Sequence, residues 1–208
     1  SMKLLLINLP WSGLVSKKTF KIHFALPPLD LILLHNLAVA ARHEARIIDG
    51  FVEHEPVTRQ LLDWADWIVV ATTPYSMWQC PNCEWGWIKN SLEKFPRQKV
   101  VLIGLHGSIY PKDVLCETGV HAVVRREPEG PFLEFLNKGH WHQCHGVSFL
   151  SDGIYHENLP AEPVDLDRLV VQNYSVDISK YSYFLLGNRT GIFEASRGCP
   201  WRCTFCCQ

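Results

Sequence analysis

The chain has 208 residues, nearly half of them hydrophobic, and a formal net charge of −1. That is enough for one well-cored domain plus an appendage, and the absence of a long basic run argues against nucleic acid as a partner. Residues 29–41 form an apolar stretch too short to span a bilayer and interrupted by Asp30, His35 and Asn36, and no secretory signal is evident, so a cytoplasmic chain without a membrane partner is expected. Ser1-Met2 reads as an expression scar. Eight cysteines in such a chain point to metal or redox work rather than a disulfide framework.

The first two thirds alternate strand and helix. Residues 3–8 are a continuous apolar run ending in Asn8, the pattern of a strand buried on both faces. Pro28 opens a helix whose apolar positions run to about His43. Residues 46–49 form a second strand closed by Gly50, and residues 57–64 a short helix. Residues 67–72 are a third strand, and residues 78–95 a helix ended by Pro96. Residues 99–104 are a fourth strand, 111–117 a short helix, 120–125 a fifth strand and 131–137 a last helix. This alternation predicts an α/β fold of the Rossmann or flavodoxin-like type: a doubly wound, five-stranded parallel sheet in the order 2-1-3-4-5. Ligands of such folds sit beyond the carboxyl ends of the strands. The candidate ligand turns are therefore Asn8-Leu9-Pro10-Trp11, Thr72-Thr73-Pro74-Tyr75 and Gly104-Leu105-His106-Gly107.

After Asn137 the pattern changes. Residues 147–150 and 154–157 flank Ser151-Asp152-Gly153 and predict a β-hairpin. Residues 159–190 have weak periodicity and read as a linker packed against its neighbours. The expected organisation is a ligand-binding domain over 1–140, hairpin and linker over 141–190, and a further domain starting at 191.

The densest chemical signal is Ser196-Arg197-Gly198-Cys199-Pro200-Trp201-Arg202-Cys203-Thr204-Phe205-Cys206. Three thiolates in a C-x₃-C-x₂-C run can hold three corners of a cubane iron–sulfur cluster. One iron then keeps an open position, as a catalytic metal must. A zinc site would want a fourth ligand, and no second cysteine pair lies nearby in sequence. Cys207 adjoins Cys206 and is sterically awkward as a second ligand to the same cluster.

This spacing resembles the cluster loop of the radical S-adenosylmethionine (radical SAM) enzymes. Phe205 before the third cysteine and the Ser-Arg-Gly-Cys-Pro leader match that family. The resemblance implies that Cys199, Cys203 and Cys206 bind a [4Fe-4S] cluster, whose open iron is chelated by SAM. An external one-electron reductant would then drive SAM cleavage to a 5′-deoxyadenosyl radical. Phe193-Glu194-Ala195 reads as the first strand of the family's barrel, which the chain would enter but not complete.

A five-stranded domain ahead of this loop is similar to the cobalamin-binding subfamily of radical SAM enzymes. Asn8-Leu9-Pro10, Pro27-Pro28-Leu29, Ile48-Asp49, Gly104-Leu105-His106-Gly107 and Glu127-Pro128-Glu129 fall where that subfamily places its signatures. The resemblance implies cobalamin contacts from Asn8, Pro10, Trp11, Thr72, Thr73, Tyr75, Gly104, His106, Gly107 and Glu127. Gly104 and Gly107 would let backbone approach the cofactor, and Thr72 and Thr73 would donate hydrogen bonds to it. Pro10 stands where many cobalamin domains carry a cobalt-ligating histidine, and it has no imidazole. The lower face of the cobalt would then be open, or taken by water or another residue, and Trp11 stands next to it to cover it. The implied activity is methylation of an unactivated carbon of an unknown small-molecule substrate, through methylcobalamin and the radical. The alternatives are a radical SAM cyclase or rearrangement enzyme with a vestigial cobalamin domain, and a non-catalytic cofactor-binding module. The isolated chain is expected to be inactive.

Three other groups have a chemical reading and a plainer one. Cys80-Pro81-Asn82-Cys83 resembles half a zinc knuckle, but a helix start fits it better. Glu127 and Glu129 follow a strand end and are expected to hydrogen-bond loop amides. His140, His142, Cys144 and His145 read as a solvated loop rather than a metal site.

Overall fold

In the computed structural model of the chain, residues 1–9, 26–53, 57–73, 85–169, 174–183, 187–201 and 203–204 are described. The strands β1 (Lys3–Asn8), β2 (Glu44–Asp49), β3 (Trp67–Ala71), β4 (Val100–Ile103), β5 (Ala122–Val124), β6 (Val147–Ser151) and β7 (Ile154–Glu157) form one sheet in the order β2-β1-β3-β4-β5-β6-β7. The first five are parallel, and β6 and β7 are antiparallel. The sheet thus has seven strands where five were expected. The hairpin is not a separate appendage, because β5 offers an open edge and Val123 and Val124 pair with Ser148 and Val147.

The central strands are apolar on both faces because helices cover both. Leu4, Leu6, Val69 and Val101 pack with Leu31 and Leu34 of α1 (Leu29–Ala40) and with Phe132 and Phe135 of α6 (Glu129–Lys138). Leu5, Ile7, Ile68, Val70 and Leu102 face the other way. They meet Leu62 of α2 (Arg59–Trp64), Ile88 and Leu92 of α3 (Trp85–Leu92) and Leu115 of α5 (Pro111–Thr118). Parallel strands buried in this way carry unbroken hydrophobic runs rather than alternation. The edge strand β2 is covered less and mixes exposed Glu44 and Arg46 with half-buried Ala45 and Ile47.

Two further expectations are corrected. Residues 105–109 form a short helix, α4 (Leu105–Ile109), where a turn was read. Gly107 sits in it against β5: a Cβ there would lie 3.1 Å from Cβ of Val123. The missing side chain lets helix and sheet approach. Phe193–Ala195 is not a strand; no ladder partner adjoins it among the described residues, and a lone extended segment is not a stable strand. The only other strands among the described residues, β8 (Ser182–Tyr183) and β9 (Gly187–Asn188), form a small two-stranded ribbon.

Register brings the carboxyl ends of the strands level. Asn8 pairs with Asp49 on one side and Ala71 on the other, and Ala71 pairs with Ile103. Asn8, Asp49, Thr72 and Gly104 therefore line one edge of the sheet, and the loop after β5 brings Glu127 and Glu129 to the same end. No helix among the described residues is long and apolar enough to cross a membrane.

Candidate functional site at the carboxyl edge of the sheet

Asn8 is buried, and its Nδ2 donates to Asp49 Oδ1 at 3.0 Å. Tyr181, from the segment after the hairpin, donates its hydroxyl to Asp49 Oδ2 at 2.8 Å. The backbone N–H of Phe51 adds a third bond to Oδ1. Burial pushes the Asp49 carboxyl above the usual carboxylate range, and these three donors oppose the rise. The segment expected to be a linker is thus clamped over the ends of β1 and β2 by one phenol.

Thr72, Thr73, Gly104 and His106 form a second group. Thr72 Oγ1 donates to the carbonyl of Ile103 at 3.0 Å. With its only proton committed, it acts as acceptor toward His106 Nδ1, 3.2 Å away. A hydroxyl has one donor, so the hydrogen between them belongs to Nδ1, and in the neutral ring the Nε2 nitrogen carries the lone pair. The imidazole also stacks on Trp85, with ring centroids 5.1 Å apart. Thr73 Oγ1 accepts from the backbone N–H of Leu105 at 3.1 Å, which leaves its own proton uncommitted by that bond. Gly104 has φ +110°, and a Cβ there would lie 2.9 Å from Thr72 Oγ1 and 3.1 Å from the backbone nitrogen of Thr73. Glycine is required at this point by the protein's own atoms.

The third group joins the cysteine leader to this edge. Arg197 Nη2 bonds Glu129 Oε1 at 2.6 Å, its Nε bonds Glu194 Oε2 at 2.8 Å, and its Nη1 lies 3.9 Å from Glu127 Oε1. Glu129, expected to serve loop amides, instead faces a guanidinium. Cys199 and Cys203 are exposed and carry free thiols. Soft thiolates suit iron–sulfur ligation, so these two residues fit that group. Pro10, Trp11, Tyr75, Cys80, Cys83 and Cys206 lie outside the described residues.

Asp30, in the first turn of α1, completes the edge. Its carboxylate accepts from the N–H of Leu31 at 2.8 Å. Burial, reinforced by the negative charges of Glu129 and Asp49, pushes its pKa up to about 7. A carboxyl raised in the folded state binds more protons there than in the unfolded chain. Its contribution to stability is therefore present at acid pH and lost as pH rises from about 4 to about 7. Asp30→Asn, which keeps the acceptor oxygen, is expected to raise the melting temperature at neutral pH and above and to leave it unchanged near pH 4. Melting curves across that range check this; parallel profiles for the two proteins would refute it.

The histidine-rich segment is built differently from the solvated loop expected. Residues 141–143 form a single helical turn, Trp141 is fully buried and stacks on Phe135 with centroids 4.1 Å apart, and Cys144 is buried. Burial pushes the Cys144 thiol up to about 11. His142 lies flat between His121 and Phe149. Among the described residues no group of three or more histidine, cysteine or acidic side chains is arranged to hold a metal ion.

Solved structures share this architecture. OxsB, a cobalamin-dependent SAM radical enzyme solved with aqua-cobalamin and SAM bound, matches with a TM-score of 0.58 at 15% identity, over 81% of this chain and 23% of its own. TsrM, a radical SAM methyltransferase from Kitasatospora setae solved with cobalamin and a [4Fe-4S] cluster, matches with a TM-score of 0.56 at 15% identity, over 79% and 30%. The chain shares the fold of the matched regions of these two enzymes. An anaerobic magnesium-protoporphyrin IX monomethyl ester cyclase of Synechocystis is 26% identical over the whole chain, which spans 42% of that relative. The chain thus covers less than half the length of each of these proteins. No protein-family model matches it.

Asn8, Thr72, Thr73, Gly104, His106 and Glu127, singled out from the sequence, all lie at this edge. Asp30, Tyr181, Glu129 and Arg197 were not assigned site roles there. A charged residue inside the leader to the first cysteine was the available signal for Arg197. Its partner lies 68 positions away and left no local trace.

Proposed function

We propose that this chain is the cobalamin-binding region of a radical SAM enzyme, joined to the start of the domain that carries the cluster. The domain limits proposed are 1–140, 141–190 and 191 onward, with the hairpin of the middle segment completing the sheet of the first. Support comes from one juxtaposition: the leader to Cys199 is tied by Arg197 to the sheet edge where the ligand turns line up. Cys199, Cys203 and Cys206 would hold a [4Fe-4S] cluster, and Asn8, Pro10, Trp11, Thr72, Thr73, Tyr75, Gly104, His106, Gly107 and Glu127 would line the cobalamin site. When bound, these groups supply electron transfer to SAM and a methyl carrier.

The chain's own residues position and polarise. Thr73 has a hydroxyl proton to offer a cofactor amide. Asp49 holds Asn8 and Tyr181 together and so keeps the end of β1 and the overlying segment in place. Asn8 spends its amide on Asp49, so any contact it makes to cobalamin would use its remaining polar atoms.

The reaction proposed is methylation of an unactivated carbon. A second reading, cyclisation or rearrangement, is favoured by the likeness to the Synechocystis cyclase over the full chain. For the chain taken alone, a non-catalytic cofactor-binding module remains the third reading. The fate of SAM separates the first two. The full-length protein, with cluster and cobalamin loaded and reduced, is expected to form S-adenosylhomocysteine, and the cobalamin-free protein is not. Release of 5′-deoxyadenosine alone from the loaded protein would sink methyl transfer and leave the cyclase reading.

A further inference from the structure

We infer that Arg197 is a positioning residue for the cysteine loop, and that buried Glu129 is the anchor through which the sheet domain sets where that loop begins. The inference rests on the cluster reading of Cys199, Cys203 and Cys206. Glu129 is 1% exposed and is the first residue of α6, whose Phe132 and Phe135 are locked in the core. Its position is therefore that of the domain itself. Arg197 is 14% exposed in its side chain, and Glu129 and Glu194 grip it from two sides. Glu194 comes from the same segment, so that pair stiffens the leader, while the bond to Glu129 fixes it in space.

The consequence for the loop is geometric. Gly198 follows with φ +86°, a left-handed turn, and Cys199 comes next. Two residues span at most about 7 Å, so anchoring Arg197 confines the first thiol to a small region beside the domain. A buried ion pair stabilises little relative to an apolar pair of the same shape, and its better-attested use is to specify one arrangement over others. Arginine suits that use, because its planar fork holds more than one carboxylate in a fixed geometry. Glu127, at 3.9 Å, adds charge on the same side.

The test uses the full-length chain with Glu129→Gln, which keeps shape and removes charge, and Arg197→Lys, which keeps charge and loses the fork. Two readouts are taken. Without iron, the rate of tryptic cleavage at the 197–198 bond is measured by mass spectrometry. It is expected to rise at least about tenfold in Glu129→Gln, because breaking a buried pair frees the leader. After anaerobic reconstitution, both variants are expected to take up iron as the wild type does. The change in the EPR spectrum of the reduced cluster on adding SAM is expected to be lost or altered in Glu129→Gln and partly retained in Arg197→Lys. Unchanged cleavage together with an unchanged SAM response in both variants would overturn the inference. Wild-type protein that takes up no iron, with cleavage still accelerated in Glu129→Gln, would overturn the cluster reading and leave the anchor standing.

Discussion

Arg197→Ala is expected to destabilise the protein by about 3–5 kcal/mol, because it leaves Glu129 buried and unpaired. The effect is large because Glu129 cannot escape to water: it is 1% exposed and sits at the start of a helix anchored in the core. Its second oxygen, Oε2, is buried without a hydrogen-bond partner among the described residues, so loss of the guanidinium strips the carboxylate of its principal partner. Removing both charges with groups of similar shape, as in Arg197→Met with Glu129→Gln, should recover much of the loss. Urea unfolding of the single and double variants measures this. A loss below about 1 kcal/mol in Arg197→Ala would mean that the pair behaves as an exposed one.

Gly104→Val is expected to cost about 3 kcal/mol, from backbone strain and overpacking together. The φ of +110° is one that a β-branched residue rarely adopts, and the added Cβ would press on Thr72 Oγ1 and the backbone of Thr73. Neither can yield cheaply, because Thr72 is bonded to Ile103 and His106, and Thr73 to Leu105. The strain would fall on the turns between β3, β4 and α4, so cobalamin retention by the full-length protein should weaken along with stability. A variant as stable as wild type would show that this backbone conformation is not enforced.

Much of the sheet was legible because burial on both faces leaves unbroken apolar runs, as in Leu4–Ile7 and Val100–Ile103. The hairpin was legible from Asp152-Gly153, but its place in the sheet was not, since that depends on β5 presenting an open edge. Helix α4 was hidden because Gly104-Leu105-His106-Gly107 has the composition of a turn. It is held instead by tertiary contacts: Gly107 against Val123, and the backbone N–H of Arg126 donating to Ser108 Oγ. Phe193–Ala195 has the side chains of a strand, yet a strand also needs a neighbour. The turn residues at the strand ends could be found from topology alone. The ion pair between Arg197 and Glu129, and the bond between Tyr181 and Asp49, join positions far apart in sequence, and neither partner announces the other.

The central claim is that this sheet edge is a cobalamin site serving a radical SAM cluster. Anaerobic titration of the full-length protein, cluster intact, with hydroxocobalamin, followed by desalting and an absorbance spectrum, tests it most directly. Retained corrin in near-equimolar amount, reduced by Gly104→Val, is the predicted result. No retained corrin on protein that keeps its iron–sulfur cluster would contradict the claim and mark the domain as vestigial.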